Sequence, residues 1–88
     1  MKLKYEFTVR QIAGEYVLVP MGKDALAFAG MITTNEVGAL ILQCLEKPTT
    51  REKILAAICD EFEVDAATAE ADMDRFLHQL RKNNLLQA

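Results

Sequence analysis

The chain has 88 residues, of which 51% are hydrophobic and 26% charged, and its formal net charge is −3. This length and composition are those of a globular protein with one core, so we expect a single domain, residues 1–88. The negative charge argues against nucleic acid as a partner, because that affinity comes mostly from basic side chains on phosphates. The sequence has no apolar run long enough for a membrane helix and no signal peptide, so we expect a cytoplasmic protein without a membrane partner.

The first third of the chain predicts three short antiparallel strands in a meander. Tyr5–Ala13 alternates with the period of a strand, and the β-branched segment Glu15–Pro20 returns alongside it. Gly14 is expected to supply the positive φ of the turn between them. The third strand, Ala25–Thr33, is rich in alanine, so another backbone can approach it closely. As the last strand of a small sheet, it is expected to have one unpaired edge.

Helical spacing of apolar residues begins after the strands, and the first predicted helix spans Asn35–Leu45. Its start has three candidate caps: a capping box of Thr33 with Glu36, or a simple cap by Thr34 or by Asn35. Gly38, inside this helix, is expected to allow close contact with a neighbouring element. The sequence leaves the choice between the caps open.

Two further helices complete the predicted fold. Thr50–Phe62 is expected to begin at a capping box of Thr49 with Glu52. The third helix is capped by Asp65 and runs to about Asn83. Its apolar residues follow the helical period and predict one buried stripe. The stripe consists of Ala66, Ala69, Met73, Phe76, Leu77 and Leu80.

The remaining residues predict packing rather than chemistry. Cys44 and Cys59 lie on apolar positions of predicted helices, and we expect both to be buried free thiols. His78 is the single histidine, so no metal-binding cluster can be assembled, and no catalytic constellation is present. We therefore expect no catalytic residue, no metal and no cofactor. Leu85–Leu86 is expected to fold back on the core after a left-handed stop at Asn83–Asn84.

A chain without catalytic residues is expected to bind a partner. Three strands followed by three helices form an α+β arrangement that is winged-helix-like, and winged-helix domains commonly read DNA. The candidate recognition helix, however, begins with Asp65, Glu70, Asp72 and Asp74, which would repel phosphate. The open edge of the third strand offers two other functions. It can take a peptide as an added strand, or it can pair with a second copy of the chain in a homodimer.

Several short motifs follow one another along the chain in a defined order. They are Arg10 with Ala13–Tyr16, then Val19–Gly22, Thr34–Ala39, Pro48–Thr49, and the closing residues Phe76, Leu77, Leu80 and Asn84–Leu86. Together they resemble the PqqD family, the coenzyme PQQ synthesis protein D relatives that are also called RiPP recognition elements. The resemblance implies a winged-helix-like domain of three strands and three helices with no activity of its own.

The resemblance also implies a function. Such domains bind the leader segment of a ribosomally made precursor peptide and present it to a modifying enzyme, often a radical SAM protein. In the family, the leader adds as a strand to the edge of the third strand and lies against the third helix. In this chain, the resemblance places the leader along Lys23–Gly30, with residues of Asp72–Lys82 as the far wall.

The candidate strand residues depend on which face of the third strand meets the peptide, and the sequence leaves both faces open. The candidates are Leu26 and Phe28, or Ala25, Ala27 and Ala29 if the strand is rotated by one residue, followed by Gly30.

The candidate helix residues lie on and beside the buried stripe of the third helix. Arg75, Gln79 and Lys82 have helical spacing on its flank, and we expect them to meet acidic or polar side chains of the leader. Met73 and Phe76 are candidates for the floor of the groove. The alternative role of these two residues, as plain core, is the favoured one.

Overall fold

A computed structural model describes residues 1–21 and 32–87 of the chain. Its elements are β1 (Lys2–Leu3), β2 (Phe7–Ile12), β3 (Glu15–Pro20), β4 (Ile32–Thr34), α1 (Glu36–Cys44), α2 (Arg51–Glu61), α3 (Ala66–Lys82) and β5 (Leu86–Gln87). Strands β2, β3 and β4 form an antiparallel sheet that precedes the three helices. The α+β fold expected from the sequence is confirmed.

β2 and β3 form a hairpin that closes with Ile12 opposite Glu15. Its two-residue turn consists of Ala13 and Gly14, with φ of 52° and 82°. Two successive positive φ angles are those of a type I′ turn, whose twist matches that of the strands. The sequence predicted this conformation for Gly14 only. At Ala13 the left-handed region costs about 1–2 kcal/mol, because the Cβ crowds the following carbonyl.

β4 pairs with β3, and Leu18 lies opposite Ile32 with both side chains buried in the core. The strand order is β2-β3-β4, so β4 is an edge whose far side pairs with no described strand. The predicted third strand, Ala25–Thr33, agrees with β4 over its last two residues, and β4 continues to Thr34. The rest of that prediction, residues 25–31, lies outside the described residues.

Asn35 caps α1, because its Oδ1 accepts a hydrogen bond from the Gly38 N–H at 3.0 Å. Of the candidate caps this is the one that the structure shows, since Thr34 still belongs to β4. Only glycine fits at position 38. A Cβ there would overlap Thr34 Oγ1 and lie 2.7 Å from Thr34 Cβ. The end of β4 and the first turn of α1 are therefore held close together.

The start of α2 corrects a prediction. Thr50 is the cap, and its Oγ1 accepts from the Lys53 N–H at 3.2 Å, so the capping box of Thr49 with Glu52 was wrong. The cause is the contact of Thr49 with the first residue of the chain. The Thr49 N–H donates to the Met1 carbonyl at 2.9 Å, and the Met1 amino group donates to the Thr49 carbonyl at 3.1 Å. Thr49 is thereby held outside the helix.

α3 begins where the sequence predicts, because Asp65 Oδ1 accepts from the Thr68 N–H at 2.7 Å. This hydrogen bond lowers the pKa of the Asp65 carboxyl. The predicted stripe of α3 is buried except for Ala66, which is exposed in the first turn, beyond the edge of the core. The core lies between the sheet and the helices. Its fully buried side chains are Leu18, Ile41, Leu42, Leu45, Ile54, Ile58, Met73, Leu77, Leu80 and Leu85.

The cysteines correct a second prediction. Both are free, but Cys59 is exposed and Cys44 is half-buried. α2 buries Ile54 and Ile58, one turn apart, and this contact is too narrow to include position 59. Burial raises the pKa of the Cys44 thiol, because the thiolate is less well solvated there.

β1 and β5 form a second, two-stranded sheet that the sequence analysis did not predict. Leu3 lies opposite Leu86, and the Lys4 N–H donates to the Leu85 carbonyl at 2.9 Å. Leu85 and Leu86 are buried, so the predicted return of this segment to the core is confirmed. Asn84, with φ of 60°, provides the left-handed stop before it.

None of the helices among residues 1–21 and 32–87 is long and apolar enough to span a membrane. Within the same ranges, no group of three or more His, Cys, Asp and Glu side chains is placed to hold a metal ion.

Candidate functional site

A cleft of about 160 Å³ lies between α3 and the junction of β4 with α1. We call it the β4–α3 cleft. The junction contributes the end of β4, the cap of α1 and the first turns of α1, and α3 contributes one polar face and one aromatic side chain. The lining residues are Thr34, Asn35, Val37, Gly38, Ile41, Asp72, Arg75, Phe76 and Gln79.

The floor of the cleft is apolar. Ile41 is fully buried and Phe76 is 7% exposed, and both belong to the core of the domain. Val37 is half-buried and packs against the same core. The apolar surface that the cleft leaves accessible therefore comes mainly from Val37, with a small part from Phe76, and Ile41 lies beneath it.

The α3 wall of the cleft is polar. Asp72, Arg75 and Gln79 follow one another at intervals of three and four residues, so they lie on one face of the helix. Arg75 Nη1 donates to Asp72 Oδ1 at 3.2 Å, with the two side chains 77% and 40% exposed. Ion pairs with such exposure hold their partners weakly. The Arg75 guanidinium is thus available to another carboxylate.

The acidic residues on the other side of α3 are bound within the fold. Arg51 of α2 donates from Nε to Asp74 Oδ1 at 2.8 Å and from Nη2 to Asp74 Oδ2 at 2.7 Å. Its Nη2 also lies 3.1 Å from Glu70 Oε2. These contacts raise the pKa of Arg51 and hold the pKa of Asp74 below its usual range. We call this group the Arg51 clamp, because it joins α2 to α3.

Three predicted site residues come together in the cleft: Arg75, Phe76 and Gln79. Lys82 is exposed one turn further along α3 and is not a lining residue of the cleft. One helical turn is about 5.4 Å, so Lys82 lies within reach of a peptide that follows α3 beyond Gln79.

The other predicted residues lie elsewhere. Met73 is fully buried in the core, on the side of α3 that faces away from solvent. It supports α3 from beneath and is not among the residues that line the cleft. The strand candidates Ala25, Leu26, Ala27, Phe28, Ala29 and Gly30 lie outside the described residues.

Val37 and Ile41 were not among the residues predicted for the site, and Asp72 entered only as the first residue of the range Asp72–Lys82 that the resemblance implies for the far wall. The one usable signal was the spacing of Asp72, which precedes Arg75 by three residues on the same helical face. The helical spacing of Val37 and Ile41 predicts a buried face of α1 and does not show that this face borders a site. Their role depends on how α1 lies beside α3 and the end of β4, and the close contact of Gly38 with Thr34 holds β4 against α1.

The profile of the family described as Coenzyme PQQ synthesis protein D (PqqD) matches residues 15–86. A comparison with curated proteins gives no match. Among solved structures, the chain is similar to TbiB1 in complex with the TbiA(beta) leader peptide, with 31% identity and a TM-score of 0.74. That alignment covers 100% of this chain and 96% of TbiB1.

A second solved structure shows the same fold. It is lasso peptide synthetase B1 complexed with the leader peptide, with 24% identity and a TM-score of 0.68. The alignment covers 99% of this chain and 96% of that protein. The family profile spans most of the chain, from the start of β3 to β5, and the TbiB1 alignment spans all of it. The chain therefore belongs to the PqqD family.

Proposed function

We propose that this protein is a non-catalytic peptide chaperone. It binds the leader segment of a ribosomally synthesised precursor peptide along β4 and in the β4–α3 cleft, and presents it to a modifying enzyme. The observation that carries the proposal is the similarity over the whole chain to TbiB1, a protein solved with a leader peptide. The cleft beside the edge strand gives such a peptide a place to bind.

Strand addition explains how one small domain can hold an extended peptide. β4 forms its described pairs with β3 through Tyr16, Val17 and Leu18, and its other side pairs with no described strand. A leader on that side gains main-chain hydrogen bonds whatever its sequence, and its alternate side chains meet the pockets of the host. Affinity and specificity then come from different parts of the same contact.

The size of the cleft favours a side chain over a small molecule. Its volume is about 160 Å³, whereas small-molecule and cofactor sites are typically about 300–1,000 Å³. An apolar side chain of the leader would pack on Val37 and on the exposed part of Phe76. This contact would fix the register of the leader, because a slip by one residue moves every side chain to the other face.

Charge on α3 favours acidic or polar leader residues. Arg75 has only a weak contact with Asp72, and its guanidinium can bind a carboxylate through two hydrogen bonds. Gln79 and Lys82 extend the same flank of the helix toward its end. The attraction between exposed charges weakens with salt, since the Debye length falls from about 10 Å at 0.1 M to 3 Å at 1 M.

The proposal extends the binding edge along the chain from β4 to Ala25–Gly30. Alternation along a strand there would put Leu26 and Phe28 on one face and the three alanines Ala25, Ala27 and Ala29 on the other. Met73 belongs to the proposal as the buried support of α3. The proposal also includes residues 1–88 as one functional unit, a cytoplasmic location, and a modifying enzyme, such as a radical SAM protein, as the second partner.

The test is a titration of the ¹⁵N-labelled protein with the leader peptide encoded beside its gene. We expect amide shifts in residues 25–34 and in Arg75–Lys82, with smaller changes in α2. Shifts confined to α2 and the β2–β3 turn, or no binding to any peptide encoded nearby, would contradict the proposal.

The competing use of the same edge is a homodimer in which β4 pairs with its own copy. Sedimentation at several protein concentrations, with and without the leader peptide, separates the two. A monomer that binds one leader supports the proposal. A tight dimer that excludes the leader would overturn it, because the edge would already be paired.

A further inference from the structure

A second groove lies at the opposite edge of the sheet, between β2 and α1, with a volume of about 430 Å³. We call it the β2–α1 groove. Its helix side is formed by Ala39 and Gln43, one turn apart on α1, and by Glu46, which lies just beyond the end of α1. Its strand side includes Val9 and Gln11 of β2 and Met21, which follows β3.

The groove has an apolar floor that is open to solvent. Val9 is 36% exposed and Met21 is 46% exposed, and both line the groove. They are two of the four large hydrophobic side chains that are exposed among the described residues. Adjacent exposed apolar side chains beside a groove are typical of an interaction surface.

β2 is also an edge strand, because among the described residues it pairs only with β3. A type I′ turn is closed by a hydrogen-bonded pair, here Ile12 opposite Glu15, and such pairs alternate along an antiparallel ladder. By this alternation Arg10 is bonded to β3. The backbone N–H and C=O groups of Val9 and Gln11 then face outward, where an added strand can pair with them.

The side chains of the same two residues face the groove. Val9 lies opposite Leu18 in the register, and Leu18 is fully buried in the core beneath the helices. Val9 and Gln11 are therefore on the helix-facing side of the sheet. Every second side chain of a strand added to β2 would lie on that side, over the groove and beside Ala39 and Gln43.

One end of the groove is negative. Glu46 is the one charged residue among the described residues that line it. Glu46 follows the C-terminal end of α1, where the helix dipole is negative, and the last turn of α1 contains no basic residue. The matching group on an occupant is a Lys or Arg side chain.

We propose that the β2–α1 groove is a second strand-addition site. Its occupant is an extended segment of a partner protein with apolar side chains at alternate positions and a Lys or Arg that reaches Glu46. A second copy of this chain that pairs through its own β2 does not fit that description. The one cation of β2 is Arg10, and it lies on the opposite face of the strand from Val9 and Gln11.

The groove and the β4–α3 cleft can be occupied at the same time. β2 and β4 are separated by β3, so the two edges are about 10 Å apart at the usual spacing of neighbouring strands. An added strand at either edge lies further out still. The domain can therefore hold one extended chain at each edge of the sheet.

The test uses two synthetic hexapeptides, Thr-Val-Thr-Val-Thr-Lys for antiparallel addition and Lys-Thr-Val-Thr-Val-Thr for parallel addition. Each is titrated at millimolar concentration and low salt into the ¹⁵N-labelled full chain. We expect one of them to shift the amides of Val9, Gln11, Ala39, Gln43 and Glu46. The same peptide with Gln in place of Lys should bind about two- to five-fold more weakly, the usual effect of one exposed ion pair.

Matched variants identify the contact. Glu46→Gln should weaken binding of the Lys peptide by the same two- to five-fold. Glu63→Gln removes an equal charge from the exposed link between α2 and α3 and should leave binding unchanged. No shift in β2 or α1, shifts confined to the β4–α3 cleft, or equal effects of the two variants would overturn the proposal. No leader peptide is used, so the outcome does not depend on the function proposed for the cleft.

Discussion

Two arginines on the surface of the helical half show how similar side chains take different roles. Arg51 uses Nε and Nη2 on both carboxylate oxygens of Asp74, and Nη2 also contacts Glu70. Arg75 makes a single contact with Asp72, three residues earlier on its own helix. The side chain of Arg51 is 37% exposed and that of Arg75 is 77% exposed.

The difference lies in what each contact joins. The Arg51 clamp connects residues 23 positions apart and holds α2 against α3. The contact of Arg75 connects neighbours that the helix already holds together, so losing it changes the fold little. An arginine whose partner lies on another helix stabilises the fold. An arginine whose partner lies on its own helix remains available to bind a ligand.

The largest expected effect comes from closing the cleft while leaving the Arg51 clamp intact. Gly38→Ala places a methyl group on Thr34, and overpacking of this kind lowers the free energy of unfolding by about 1–3 kcal/mol. The variant should also bind the leader more weakly. Urea unfolding followed by circular dichroism measures the first effect.

The companion change is Thr34→Ala, which removes the two side-chain atoms Oγ1 and Cγ2 that a Cβ at Gly38 would meet. Combined with Gly38→Ala, it should restore part of the lost stability. If Gly38→Ala alone is as stable as the unchanged protein, β4 and α1 do not approach each other as closely as described.

The second effect is a loss of stability in acid that depends on Arg51 and not on Arg75. Arg51 holds the pKa of Asp74 below its ordinary value, so the stabilisation is fully present above the unfolded pKa of about 4. It is lost as the pH falls through the lower folded pKa. Arg51→Ala should lower the urea midpoint at pH 7 and flatten its fall in acid. Arg75→Ala should have a smaller effect on the urea midpoint at pH 7 and on its fall in acid.

Asp65 provides the internal control for this measurement. Its pKa is lowered by the hydrogen bond from Thr68, and it keeps that bond in both arginine variants. Some acid sensitivity should therefore remain after Arg51→Ala. If the urea midpoints of the two variants fall equally as the pH is lowered, Arg51 does not stabilise the fold more than Arg75 does.

The smallest effect comes from a region remote from both arginines. Ala13→Asn should raise the free energy of unfolding by up to about 1 kcal/mol, because asparagine tolerates the left-handed region and Asn-Gly is a preferred type I′ turn. Gly14→Ala should lower it, since a Cβ is strained at φ of 82° although nothing lies within 4 Å of it. Thermal unfolding measures both, and leader affinity should be unchanged. A change in affinity would mean that the turn contributes to the site.

Local rules predicted much of the fold. Glu15–Pro20 and the cap at Asp65 agree with the structure, because strand alternation and the capping side chain are properties of neighbouring residues. The cap of α2 was placed one residue early. The capping-box spacing to Glu52 favours Thr49, but the bond between Thr49 and Met1, 48 positions away, holds Thr49 outside the helix. Local patterns could not supply that contact.

The residues of the site also divide into those that local patterns predicted and those that depend on tertiary packing. Arg75 and Gln79 were found from helical spacing and resemblance, and the structure places both on one wall of the cleft. The apolar floor of the cleft depends on the approach of α1 to α3. Val37 and Ile41 belong to it through tertiary packing, which the period of the helix does not encode. The exposure of Cys59 was missed for the same reason, since the width of the α2 contact is set by its neighbours.

The most direct test compares the affinity of the leader peptide for Arg75→Glu and Arg81→Glu. Both variants reverse one charge on an exposed position of α3, but only Arg75 lines the β4–α3 cleft. Isothermal titration calorimetry at low salt should show about tenfold weaker binding for Arg75→Glu, the scale of one charge contact replaced by repulsion. Arg81→Glu should bind as the unchanged protein does. Equal losses in the two variants, or no loss in either, would contradict the assignment of the cleft as the leader site.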